Sequence, residues 1–100
     1  MVLSYDRQSA MYSNTNPMFK LANLVTSTEE GKNIAVGLTY ELRVPFFLGA
    51  IKQGHEELVK WMTTTMGWSV DPPFLAALNK LCTELEPYEP DMVQWIIDAF

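Results

Sequence analysis

Residues that stop helices recur so often along this chain that no long regular element can form, and that spacing constrains its fold first. Asn16-Pro17, Pro45, Gly54, Gly67, Asp71-Pro72-Pro73, Pro87 and Pro90 cut the sequence into short segments. Within them apolar residues return at three- and four-residue steps: Met18, Phe19, Leu21, Ala22 and Val25 in one, Leu58, Val59, Trp61 and Met62 in another, then Phe74, Leu75, Ala77, Leu78 and Leu81, and finally Met92, Val93, Trp95, Ile96 and Phe100. That period lays an apolar stripe on one face of a helix. Short helices that each own one stripe must bury it against one another, so the expected fold is mainly α, a small domain of stacked short helical hairpins.

The boundaries follow from local chemistry. Asn16 can cap free amides and Pro17 suits a first turn, so helix one is expected over about 17–26. Ser27 and Glu30 have capping-box spacing, which starts a helix near residue 29. Residues 34–44 fit two readings. Ile34, Val36, Leu38, Tyr40, Leu42 and Val44 are apolar at every second position, as in a strand, while Ile34, Leu38 and Leu42 are four apart, as in a helix. A strand there makes the fold α+β, and that alternative stays open. Pro45 is expected to interrupt the chain, with a short apolar helix from Phe46 ending at Gly54 and another opening at His55-Glu56-Glu57. A turn around Gly67 and Asp71, a helix over about 74–84, an acidic loop over 84–90 and a helix from Asp91 complete the chain. Residues 1–15 show no period and read as an arm or loop.

With 100 residues, 48% apolar and 19% charged, the chain can bury one core and is expected to be one domain, 1–100. Its net charge of -5 is uneven along the sequence: residues 71–100 hold six acids and Lys80 as the one base. Direct nucleic-acid binding needs clustered Lys and Arg, and none are clustered. No run approaches the roughly 18 apolar residues of a membrane span, residues 1–8 do not read as a secretory signal, and the lone Cys82 suits a reducing compartment. A cytoplasmic protein without a membrane segment is expected.

Catalytic and metal chemistry were sought residue by residue. His55-Glu56-Glu57 lacks the second His of a zinc-protease helix, because position 59 is Val59. One His and one Cys cannot supply a soft-ligand metal site, and Cys82 sits at helical spacing beside Leu78 and Leu81, as a buried thiol would. No enzyme activity, metal or cofactor is expected. Trp61 and Trp95 fall on apolar faces and read as core. Trp68, in a turn, and Tyr88, in the acidic loop, read as contact residues, and the candidate partner-binding set is Trp68, Asp71, Glu86, Tyr88 and Glu89.

Val59-Lys60-Trp61-Met62 and Val93-Gln94-Trp95-Ile96 lie 34 residues apart, a period of helical-pair arrays. Residues 50–62, with Gly54-His55 at the reversal and Leu58-Val59-Lys60 after it, resemble the middle of an ankyrin repeat, and the resemblance extends over about residues 45–100. The family's Thr-Pro-Leu-His tetrapeptide is missing and the N-terminal 44 residues show little of the pattern. The resemblance implies a protein-binding module without chemistry of its own. The lead expectation is therefore a non-enzymatic interaction module that meets a basic protein surface through its acidic last third. A small acidic inhibitor of a host enzyme or nucleic-acid-binding complex is the alternative, and a self-assembling homo-oligomeric subunit is the third.

Overall fold

The computed structural model describes residues 16–100, so the expected arm at 1–15 lies outside the described residues. Among the described residues six helices follow one another: α1 (Pro17–Leu21), extended by a 3-10 turn over Ala22–Leu24, α2 (Thr28–Val36), α3 (Tyr40–Lys52), α4 (Glu56–Thr65), α5 (Pro72–Leu85) and α6 (Pro90–Ala99). The fold is mainly α, and no strand occurs among the described residues.

The helices pair as antiparallel hairpins, and the hairpins stack in two layers. α1, α3 and α5 pack side by side as one layer, while α2, α4 and α6 form the other. Within each layer the helices run parallel. Lys52 at the end of α3 meets Glu84 at the end of α5 at 3.3 Å, and Tyr40 at the start of α3 donates to the carbonyl of Ser69 just ahead of α5 at 3.0 Å. In the second layer Lys32 lies 5.6 Å from the ring of Trp61, and Lys60 lies 6.0 Å from that of Trp95. Counted from the helix starts, a cation at the fifth position stands over an indole at the sixth position of the next helix. The 34-residue spacing of Trp61 and Trp95 is this register.

Helix α3 occupies the middle of the stack, and residues 44–51 are buried without interruption. Such all-round burial needs close neighbours. A Cβ on Gly49 would strike the backbone carbonyl of Phe19 and lie 3.0 Å from the Cβ of Ala22, so α1 rests directly on the α3 backbone. In the other layer a Cβ on Gly31 would lie 2.5 Å from a methyl of Leu58. Around these contacts Phe46, Phe47, Phe74, Leu48, Ile51, Leu58, Met62, Met92 and Ile96 form one continuous core, and among the described residues no polar or charged side chain is buried.

Two expectations need correction. Residues 34–44 are neither a strand nor one helix, because Gly37 closes α2 and Thr39 precedes α3, so the every-second apolar pattern straddles a break. Val36 and Leu42, which that pattern would bury, are 64% and 42% exposed. Pro45 does not end a helix either. It lies inside α3, where its missing N–H withdraws one bond from the carbonyl of exposed Glu41 while its ring is buried in the core. Smaller shifts bring α5 in at Pro72, where Asp71 caps it, and shorten the acidic loop to a four-residue turn before Pro90.

These contacts set a stability test. Gly49→Ala will lower unfolding free energy by about 1–3 kcal/mol in urea denaturation, the usual range for overpacking against a rigid neighbour. Gly31→Ala will cost less, because the flexible end of Leu58 can move aside.

Candidate functional site

Parallel stacking gives the molecule two opposite edges, one made by the hairpin turns within pairs and one by the loops between pairs. The hairpin edge collects residues 25–27, 53–55 and 86–89. At the first turn Ser27 Oγ accepts from the amide of Glu30 at 3.2 Å, and the Glu30 carboxylate accepts from the amide of Thr26 at 3.2 Å. The box foreseen at Ser27 and Glu30 thus closes one residue further back. At the second turn Gly54 holds φ at 75°, the left-handed region that glycine enters freely, and His55 Nε2 lies 3.0 Å from the carbonyl of Ala22 in the preceding pair. The third turn exposes Tyr88, which is 79% accessible.

Carboxylates favour helix N-termini, where unpaired amides and the macrodipole stabilise negative charge. α2 opens with Glu29 and Glu30, α4 with Glu56 and Glu57, and α6 with Asp91. Each follows a local rule, and stacking in parallel sums them. With Glu84 at the end of α5 and Glu86 and Glu89 from the last turn, the edge becomes one acidic strip across all three pairs. Bases offset part of it: Lys52 is paired with Glu84, Lys60 is bound to Glu56 at 2.9 Å, and exposed Lys20 stands in the last turn of α1, whereas Lys32 is turned onto Trp61. The hydrogen bond to Glu56, outweighing partial desolvation, holds the Lys60 ammonium above its ordinary pKa, with Glu57 and Asp91 adding attraction.

The loop edge is apolar and knitted. The Trp68 ring stacks on Phe74 at 5.7 Å and an interplanar angle of 14°, meets Phe47 at 4.8 Å, and has Tyr40 and Phe100 against its other sides. Its indole N–H donates to the carbonyl of Met62 at 3.3 Å. Trp68 is therefore half-buried packing under the turn, with its one polar group engaged. Asp71 accepts from the amide of Phe74 at 2.9 Å and caps α5.

The five candidate residues consequently do not form one surface. Trp68 and Asp71 lie at one end of α5 and Glu86, Tyr88 and Glu89 at the other, separated by 14 residues of helix, or about 21 Å. Sequence reasoning missed Glu29, Glu30, Glu56 and Glu57 as members of the acidic strip, because charge was counted along the chain and not along the stack. The capping positions themselves were the available signal.

Trp61 and Trp95, read from sequence as core, are half-buried on the outer layer beneath Lys32 and Lys60. Cys82 is buried at 6% exposure, and desolvation pushes its thiol pKa up, away from the nucleophilic thiolate. Among the described residues no group of three or more His, Cys, Asp and Glu is placed to hold a metal ion, and no helix is long and apolar enough to cross a membrane. No model of a known protein family, no curated protein and no solved structure matches the chain.

The separation of the two edges is measurable. Trp68→Ala will cost about 3 kcal/mol of stability, as removal of a packed aromatic does, and Asp71→Ala about 1 kcal/mol, as loss of a helix cap does. Glu86→Lys with Glu89→Lys will cost no more than about 1 kcal/mol in the same denaturation experiment, because both side chains are exposed and the one loss is the favourable charge of Glu89 at the start of α6.

Proposed function

We propose that this chain is a non-enzymatic protein-interaction module that meets a basic surface of its partner with the hairpin edge, using Glu86, Tyr88 and Glu89 together with the acidic helix starts beside them. The observation that carries this reading is the acidic strip itself, crossed by an aromatic side chain that no neighbour covers. A long row of like charge steers association with a complementary surface, and an exposed tyrosine supplies apolar contact at small entropic cost. The resemblance of residues 45–100 to ankyrin repeats points the same way, since stacked helical pairs of that kind bind proteins. Trp68 and Asp71 leave the proposed contact set and take structural roles. The proposed setting is the cytoplasm, in keeping with a single buried thiol.

Affinity capture from the native host with the full chain as bait tests this. The triple variant Glu86→Lys, Tyr88→Ala and Glu89→Lys is expected to lose the co-purifying partner, and raising the salt concentration is expected to weaken capture by the parent chain. Capture that is indifferent to both changes would remove the hairpin edge from the account. A captured partner that is itself a nucleic-acid-binding enzyme would favour an inhibitor over an adaptor.

A further inference from the structure

We draw no further inference here: the strongest candidate, the exposed apolar side chains of Val36, Leu42 and Val70 along the loop edge, carries nothing because nothing in the structure shows what covers them.

Discussion

Burial of α3 on every side is the constraint from which the rest of this structure follows. Residues 44–51 of one helix are withdrawn from water, and a helix apolar all round is stable only if neighbours close over each flank. α1 closes one flank by resting its backbone on Gly49, α5 closes the other through Phe74, and α4 lies across both. Since α1 and α5 sit on opposite sides of α3 with the same direction, their hairpin partners α2 and α6 must sit on opposite sides of α4. Two parallel layers result from satisfying one buried helix.

Parallel layers then decide where charge and aromatic rings come to rest. Every outer helix begins at the hairpin edge, so the acids that stabilise helix starts accumulate there, whereas the loops between pairs meet at the other edge and close over an aromatic cluster. A local capping preference worth well under a kilocalorie per residue becomes a surface property once three copies point the same way. Lysines cancel only part of the strip, in the Glu56 and Glu84 pairs, while Lys32 is drawn onto the Trp61 ring. The character of the two edges is a by-product of stacking: the core consumes the apolar stripes, and the edges left over differ.

Much of the fold was legible in the sequence because its signals are local. Asn16-Pro17, Ser27 with Glu30, and Gly54 each act within a few residues, and each does in the structure what its chemistry foretold. The stretch 34–44 misled because two unrelated stripes abut there: Ala35 is the last buried residue of α2 and Val44 opens the buried run of α3, and the alternation between them belongs to neither. Gly37 and Thr39 carried the break, but such weak punctuation is outvoted by six apolar residues in step. Pro45 misled for a different reason. A missing amide costs least where the orphaned carbonyl stays near solvent and the ring gains a buried site, and both conditions are tertiary. The candidate contacts were legible as residue types and not as a surface, since Trp68 and Tyr88 look alike as loop aromatics until one is seen packed against Phe47, Phe74 and Met62 and the other largely exposed.

The central claim is that the three hairpin turns share one edge and the interpair loops share the opposite one. Paramagnetic relaxation from a single nitroxide on Gln53→Cys, in a Cys82→Ser background, tests it directly. The account predicts strong broadening of the amides of Ser27, Glu57 and Glu89 and little at Ser69, Asp71 and Phe100, which stand roughly a full helix length away, about 20 Å. Broadening of Ser69 and Asp71 as strong as that of Ser27 and Glu89 would show that the helices do not stack in parallel, and the acidic edge would fall with them.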